Sequence, residues 1–337
     1  MKYNHYLGID ISKNKLDVCV FDGNNILIHL VCKNDVVTIE KLFKGLLDDN
    51  IEFDKVLVCA EHTGLYSFSL IESCESLNID LWLENPAEIK LSSGVQRGKN
   101  DKIDAERIAN YACRYKDKAN LYTNNKNIEE IKNLTSERGL YVVDRAKYKG
   151  QIKSQKGHMP NQYYKSKTVR LKKLITTLSK QIVQIENLID ELIVKNDELK
   201  RQYELITTVN GVGKQVAIQT IVSTVGFTKF NNPRKFACHV GVAPFAYLSG
   251  SSQRTRWKVS HRANKDLKNI FHMAALSALR MEGEFRDYYL RKVEEGKNKM
   301  TVINAIRAKI IHRIFAVIRD NKKYDKNYIN SLDLSIR

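Results

Sequence analysis

The chain has 337 residues, which is long enough for two or three ordinary domains, and its formal net charge is +18. Hydrophobic residues at 43% and aromatic residues at 9% exclude a disordered chain, and only four prolines and 16 glycines exclude a collagen-like or linker-dominated one. The positive charge favours an acidic polymer as partner, nucleic acid being the commonest; a basic protein without such a partner is the alternative.

The first third of the sequence predicts an α/β domain. Three short β-rich runs separated by turn residues indicate a meander: HYLGIDIS, KLDVCVFD and NNILIHLVC. VVTIEKLFKGLLDD and GLYSFSLIESCESLN have helical spacing, KVLVCAEH is typical of a buried strand, and DLWLENP predicts a fifth strand that stops at Pro86. The segment DKIDAERIANYACRYK then predicts a helix with Asp101 near its start.

Acidic residues fall at selected points of these elements. Asp10 lies in the first strand, Asp17 begins the second, Glu61 ends the fourth, and Asp101 and Asp104 share one face of the helix. RNase H-like nucleases have this arrangement, with strands one and four adjacent and a helix bringing its acids to their ends. Converging carboxylates repel one another without divalent cations, and oxygen ligands suit Mg²⁺ or Mn²⁺. The alternative is that the acids are solvated or cap the helix.

The middle of the chain predicts two long helices. Residues 128–156 have helix-friendly composition and end before Gly157 and Pro160, and a second helix begins at Tyr163. Its apolar residues repeat every 3.5 positions, as in a coiled coil. This seam consists of Leu171, Ile175, Leu178, Ile182, Ile185, Ile189 and Leu192, widened by Leu174, Leu188 and Ile193. We predict an antiparallel hairpin whose seam either meets another subunit or packs on its own domain.

The last third contains two segments suited to nucleic acid. VNGVGKQVA resembles a helix-hairpin-helix turn, in which Gly211 and Gly213 permit close approach of a phosphate and Lys214 adds charge, although many helix corners contain two glycines. SGSSQRTRWKVSHRANKDLK places cations around Trp257, which suits a nucleic-acid backbone. The cations are Arg254, Arg256, Lys258, Arg262, Lys265 and Lys268.

Three serines precede these cations: Ser249, Ser251 and Ser252. They form either a flexible polar loop or a loop in which one serine attacks phosphorus. Helical segments at 284–295 and 300–319 close the chain.

Charge is distributed unevenly: the net charge is −4 over residues 1–120, +8 over 121–202 and +14 over 203–337. This asymmetry predicts carboxylate chemistry upstream and polyanion binding downstream. The six cysteines have neither C-x-x-C nor zinc spacing, and neither a signal peptide nor a membrane span is recognisable, so we expect a cytoplasmic protein with reduced thiols.

Taken together, these segments resemble one family along nearly the whole chain. YLGIDISKNKLDVCVFD, AEHTG, NPAEIK, KNDKIDAERIA, VNGVGKQVAIQTIV, FNNPRKFACHVGVAP, SGSS and HRANKDLKNIFHMAALSA are similar, in order, to the DEDD transposases of the insertion-sequence one-ten group. That group includes the pilin-gene invertases and the bridge-RNA-guided recombinases.

The resemblance implies an α/β RuvC-like (RNase H-like) catalytic domain at 1–125, a coiled-coil helical hairpin at 126–203 and a mainly helical transposase domain at 204–337. It implies that Asp10, Glu61, Asp101 and Asp104 bind Mg²⁺ or Mn²⁺ and that the serine of the Ser249-Gly250 motif attacks DNA. It further implies donor and target DNA, a structured bridge RNA, and a homo-oligomer, dimer or tetramer, whose active site combines the acids of one subunit with the serine of another.

Two other functions stay open. A Holliday-junction resolvase would hydrolyse DNA with the same acids and without a serine, and a catalytically silent scaffold would only bind nucleic acid. The complete set of acids argues against the scaffold. The serine loop and its basic stretch argue against simple hydrolysis.

Overall fold

Five strands form a mixed sheet in the N-terminal part of the computed structural model. They are β1 (His5–Ile11), β2 (Lys15–Phe21), β3 (Ile26–Lys33), β4 (Val56–Glu61) and β5 (Asp80–Glu84). Their order is β3-β2-β1-β4-β5. β2 pairs antiparallel with β1 and β3, whereas β4 is parallel to both β1 and β5. The predicted meander and the predicted adjacency of strands one and four are confirmed.

The structure describes residues 2–48, 51–92, 94, 100–123, 125–244, 248–249, 253–254, 259 and 263–325. The chain divides into two compact units, Met1–Asn124 and Asn125–Arg337. Among the helices of the described residues, none has both the length and the apolar composition needed to cross a membrane. All six cysteines are free.

Helices cover both faces of the N-terminal sheet. These helices are α1 (Val36–Asp48), α2 (Phe68–Ser76), α3 (Pro86–Ser92) and α4 (Asp101–Tyr115). Because side chains alternate along a strand, Leu7 and Ile9 of β1 pack in one apolar cluster with Phe43 of α1, whereas Tyr6 packs on the opposite face with Ile108 of α4. The result is a three-layered α/β/α unit, compatible with the predicted RuvC-like domain.

The second unit is predominantly helical. Its helices are α5 (Lys126–Gln155), α6 (Asn161–Lys195), α7 (Asp197–Thr207), α8 (Lys214–Thr224), α9 (Pro233–Val240), α10 (Lys265–Ala278), α11 (Glu284–Glu294) and α12 (Lys299–Asp320). A short antiparallel pair, β6 (Leu248–Ser249) and β7 (Gln253–Arg254), lies between α9 and α10 in the chain. Helix α12 supplies the centre of the core, since Ile306, Ile310 and Ile314 are fully buried.

The two long helices α5 and α6 run antiparallel. Arg138 of α5 pairs with Glu186 of α6 at 2.7 Å, whereas the Arg145 guanidinium, further along α5, donates to the earlier Ser179 hydroxyl of α6. Gly157, at φ +83°, lies in the turn between the helices. The predicted boundary at residue 203 falls within one hydrophobic core, because Ile131 and Ile189 of these helices cluster with α7–α12.

The predicted seam of α6 is largely covered within a single chain. Ile182, Ile185 and Ile189 are only 4%, 4% and 1% exposed. Side chains without solvent access in one chain offer no apolar surface to a second subunit. Ile182, Ile185 and Ile189 therefore pack within their own chain, which is one of the two alternatives stated above, whereas Leu174 and Leu188 of the widened seam are each 47% exposed. Association of subunits through this seam stays a prediction.

Candidate active site

Strand register places a row of carboxylates across one face of the N-terminal sheet. Asp10 of β1 is paired with Asp17 of β2. On its other side Ile9 is paired with Ala60 of β4, so the next residues along these parallel strands, Asp10 and Glu61, are neighbours. Both follow the alternation that points Tyr6 and Cys59 of the same strands towards α4.

Helix α4 brings two more acids to this face because Gly8 allows it to lie against β1. A Cβ built on Gly8 would lie 2.1 Å from the backbone nitrogen of Ala109 and 2.2 Å from the carbonyl oxygen of Ala105. Only a glycine permits such an approach between a strand and a helix. Gly8 and Asp10 are two residues apart on one strand, so the helix that covers Gly8 carries its own first turn towards Asp10.

The first turn of α4 contains Asp101 and Asp104. The helix begins at a capped position, where the Asn100 side chain accepts a hydrogen bond from the backbone N–H of Lys102. Acids in a first turn are favoured by the helix dipole, so the sequence stabilises this helix start while concentrating negative charge there.

Ion pairs connect the acids of α4 to those of the sheet, because the Lys15 ammonium contacts both Asp101 and Asp17, and Asp17 is the cross-strand partner of Asp10. Burial, followed by the negative charge of four nearby carboxylates, raises the pKa of Asp10 to about 6. In order of effect, the four carboxylates are those of Asp101, Asp104, Glu61 and Asp17. The four acids predicted from the sequence are thus brought together, and Asp17 joins them.

Two basic side chains neutralise part of this charge. The Lys15 ammonium lies 2.8 Å from Asp101 and 2.9 Å from Asp17, and Arg107 lies 2.6 Å from Asp104. Within the described residues, no group of three or more His, Cys, Asp or Glu side chains could hold a metal ion as placed. The donors nevertheless fit Mg²⁺ or Mn²⁺ by their chemistry, because all are carboxylate oxygens, the ligands that these cations prefer.

One further acid of this row, Glu84, was not predicted from the sequence. Glu84 of β5 is paired with Glu61 of β4, and its carboxylate accepts a hydrogen bond from the Tyr111 hydroxyl of α4 at 3.2 Å. Strand register could have revealed it, because aligning β4 and β5 in parallel places the acids at the ends of the two strands next to each other. Gly8 was missed as well, and its signal is the spacing Gly-x-Asp in the first strand.

The glycine turn before α8 differs from its prediction. A Cβ on Gly211 would lie 2.4 Å from the Ala274 carbonyl oxygen, so the close approach that this glycine permits is to the backbone of α10 and not to a phosphate. Lys214 forms an ion pair with Asp190 of α6 at 2.6 Å, so its charge is already partnered. Gly213 caps α8, and a Cβ there would meet nothing within 4 Å.

The serine loop is described only in part. Ser249 lies in β6, where its backbone pairs with Gln253 of β7. Several predicted residues lie outside the described residues, namely Gly250, Ser251, Ser252, Arg256, Trp257, Lys258 and Arg262. Arg254 belongs to β7, Lys265 begins α10, and Lys268 lines a pocket between α10 and α12.

Two family models match the chain. One, described as Transposase and built on DEDD transposases of the IS110 group, matches residues 7–155, which include the four predicted acids. The other, described as the Transposase IS116/IS110/IS902 family, matches residues 203–290, which include the glycine turn and the serine loop.

Individual proteins agree with the family models. The chain is 28% identical over 327 residues to a pilin gene-inverting protein of Moraxella bovis, a match that covers 95% of this chain and 98% of that protein. A pilin gene-inverting protein of Moraxella lacunata matches to the same extent. An uncharacterised protein of insertion element IS116 from Streptomyces clavuligerus is 26% identical over 46% of this chain and 39% of its own length.

Both halves of the chain therefore match transposases of the same group. The chain belongs to the IS110 family of DEDD transposases, enzymes that recombine DNA.

Proposed function

We propose that this transposase cuts and rejoins insertion-sequence DNA through Ser249, assisted by a divalent cation held by Asp10, Glu61, Asp101 and Asp104. The observation that carries the proposal is the convergence of four carboxylates from β1, β4 and α4 on one face of the sheet. Transposases with the DEDD motif generally use divalent metal ions.

The carboxylates have a definite part in this proposal. They would hold Mg²⁺ or Mn²⁺, which, when bound, supplies positive charge for the oxygens of a reacting phosphate. Burial, and then the repulsion of the neighbouring carboxylates, raises the pKa of Asp10 to about 6, and a bound cation would relieve that repulsion. The sheet and α4 keep the four acids near one another before any DNA arrives, so little reorganisation is needed during the reaction.

Ser249 would form the covalent link to DNA. Its Oγ attacks a backbone phosphorus, the Oγ–P bond forms while the P–O3′ bond breaks, and the leaving 3′ oxygen gains a proton as the hydroxyl loses one. The ester conserves the energy of the broken bond, so a second 3′-hydroxyl can attack it and rejoin strands. Support comes from the adjacent Gly250 and from the cations of residues 254–268, which suit a DNA backbone.

A structured RNA would supply sequence specificity. Base pairing between such a bridge RNA and the donor and target DNA would select the site while the protein holds the backbones. The net charge of +14 over residues 203–337, without a recognisable base-reading helix, supports this division. RNA that co-purifies with the full chain from its own host should, on sequencing, map beside its gene.

One denaturing gel tests the chemistry. Full-length protein incubated with labelled cognate DNA, Mg²⁺ and RNA should give a protein–DNA adduct. We expect Asp10→Asn to reduce adduct and product by about a thousandfold or more while DNA binding survives, because the shape of the side chain is kept and its charge is lost. Asp117→Asn, an exposed acid of the same unit, is the matched control. Near-normal cleavage by Asp10→Asn would refute the cation site.

The serine is tested on the same gel. Ser249→Ala should abolish both adduct and rejoined DNA, and peptide mapping of the wild-type adduct should identify Ser249. Attachment at Ser251 or Ser252 would move the nucleophile, and a free nicked product without adduct would establish a hydrolytic resolvase. Neither product would establish a scaffold.

The composite site is tested by mixing. If the acids of one subunit act with the serine of another, a mixture of Asp10→Asn and Ser249→Ala proteins contains some sites with both functional groups. We therefore expect partial recovery of recombination from two inactive proteins. A mixture that assembles but stays inactive would show that both groups act within one subunit.

A further inference from the structure

Arg307 is a buried charge that pairs with no acid among the described residues. It lies on α12 and is only 6% exposed. One terminal guanidinium nitrogen lies 2.5 Å from the Nδ1 atom of His272 on α10, and the buried Nε atom has no hydrogen-bond partner. Within the described part of the chain, no carboxylate forms an ion pair with this arginine. By contrast, Arg313 on the same helix is held by both carboxylate oxygens of Glu284 at 2.8 Å.

His272, which contacts Arg307, contributes a hydrogen-bond donor and no negative charge. Burial, and then the charge of Arg307, lowers the pKa of His272, so this imidazole is neutral at pH 7. A guanidinium only donates hydrogen bonds, so Nδ1 of His272 accepts and the ring proton lies on Nε2. The pair therefore combines a full positive charge with an additional donor. A buried guanidinium without a counter-charge destabilises a fold, and a bound anion would offset that cost.

A pocket opens beside this pair. It has a volume of about 530 Å³ and lies between α10 and α12. Its polar lining consists of Lys268, Asn269, His272, Thr301, Asn304 and Arg307. None of the described residues that line it is acidic, so two positive charges face the space without a counter-charge from the part of the lining that the structure describes. Asn304 is fixed by donating a hydrogen bond to the Val242 carbonyl oxygen at 2.8 Å.

We propose that this pocket binds a backbone phosphate of the nucleic acid on which the enzyme acts, with Arg307 as the central donor and Lys268 as the second charge. A guanidinium can direct two N–H groups at one phosphate, and amide and hydroxyl side chains complete such sites. Val259, which follows the serine segment in the chain, also lines the pocket. The choice of nucleic acid as ligand rests on the proposed function; the anion site itself does not.

The first experiment uses inorganic phosphate as probe. Thermal unfolding of the full chain is measured in phosphate and in chloride at equal ionic strength and pH. Wild type should be stabilised by phosphate more than Arg307→Met is, because the variant keeps the apolar stem and loses the donors. In chloride, Arg307→Met should unfold at the wild-type temperature or above, since a buried unpaired charge is removed. Arg319→Met, an exposed arginine of the same helix, should retain the whole phosphate effect.

The second experiment identifies the strand. Fluorescence anisotropy is measured with fluorescein-labelled single-stranded DNA, duplex DNA and RNA of equal length. Arg307→Met should weaken binding of one of these by about tenfold, the size expected for hydrogen bonds to a charged group. It should also lower the salt dependence by about one counterion. Arg307→Lys should recover part of the affinity, and Arg319→Met should lose little. The probe that is weakened identifies the bound strand.

Each outcome decides the matter. If Arg307→Met lowers the unfolding temperature in chloride and leaves the phosphate effect intact, Arg307 is structural and the proposal is wrong. If phosphate stabilises all variants equally, the pocket binds no phosphate. If the phosphate effect is lost but no nucleic acid is weakened, the anion site stands while its assignment to a strand is wrong. Failure of the serine or acid variants on the denaturing gel would leave the phosphate measurement untouched, so the two proposals fail separately.

Discussion

Replacing Gly8 with alanine tests whether the contact between β1 and α4 assembles the acids. The added Cβ would lie 2.1 Å and 2.2 Å from two backbone atoms of α4, where ordinary contact begins at 3.4 Å. Backbone atoms cannot rotate away as a side chain does, so α4 has to withdraw from the sheet by more than about 1 Å. Overpacking of this kind costs about 1–3 kcal/mol, and we expect the upper end of that range.

The withdrawal also moves catalytic groups. Asp101 and Asp104 lie in the first turn of α4, so they would retreat from Asp10 together with the helix. A misplacement of about 1 Å costs about a hundredfold in rate, and we expect at least that loss of DNA cleavage. The assays are thermal unfolding of the full chain and quantified adduct formation on a denaturing gel.

Gly45→Ala is the matched control for this substitution. Gly45 lies inside α1, and a Cβ there would meet nothing within 4 Å. Alanine favours a helix interior over glycine by about 0.5–1 kcal/mol, so this variant should be slightly more stable and fully active. If Gly8→Ala unfolds at the wild-type temperature and cleaves at the wild-type rate, the close contact does not hold the acids in place.

Two further substitutions probe charge in each unit. Lys15→Met should lower the melting temperature of the metal-free protein, because Asp17 and Asp101 lose the ammonium that they share. Mg²⁺ should then stabilise this variant more than it stabilises wild type. Lys13→Met, at an exposed neighbouring residue, is the control and should change neither melting curve. Burial raises the pKa of Glu284, but hydrogen bonds from Arg313 and Tyr324 outweigh it and the net pKa is lowered. Its ionised form therefore stabilises the fold above the unfolded pKa of about 4.3, and this stability is lost as the pH falls through the lower folded value. Glu284→Gln should accordingly destabilise the chain by about 1–3 kcal/mol at pH 7, as measured by urea unfolding, and the difference from wild type should shrink below about pH 4.

The sheet was predictable from the sequence because each strand has a recognisable local pattern of apolar and turn residues. Alternating or continuous apolar runs bounded by turn residues located all five strands, and the order of acids along them pointed to one face. Register supplied what the pattern could not. The pairing of Asp10 with Asp17, and of Glu61 with Glu84, depends on which strands are neighbours and how they are aligned, and both are tertiary properties.

Glycines and the coiled-coil seam show a second limit. The segment VNGVGK indicates a tight turn in both interpretations, but only packing reveals that Gly211 lies against α10. A heptad repeat likewise indicates that Ile182 and Ile189 need an apolar partner without saying whether that partner is the same chain or another copy. In this fold Ile189 belongs to the hydrophobic core of the second unit, and Ile182 is buried within the same chain.

Arg307 could have been suspected from the sequence. In INAIRAKIIHRIFAVI, which begins at Ile303, it follows Ile303 by four residues and precedes Ile310 by three, which places a cation on the apolar face of α12. A lone arginine at such a position either pairs with a buried acid or reaches solvent along its stem. The structure places it in neither situation, since it is buried and its nearest polar neighbour is a neutral histidine.

The two units therefore have opposite electrostatic deficits. In the first, burial and then the charge of four nearby carboxylates raise the pKa of Asp10 to about 6, so negative charge is crowded there even though Lys15 and Arg107 pair with neighbouring acids. In the second, Arg307 and Lys268 face a pocket whose described lining contains no acid, so positive charge is concentrated there. The two proposals supply opposite charges, a divalent cation to the first unit and a phosphate to the second. Under both proposals, ligand binding reduces the repulsion between like charges in each unit. Nucleic acid and Mg²⁺ together should therefore stabilise the chain by more than either does alone.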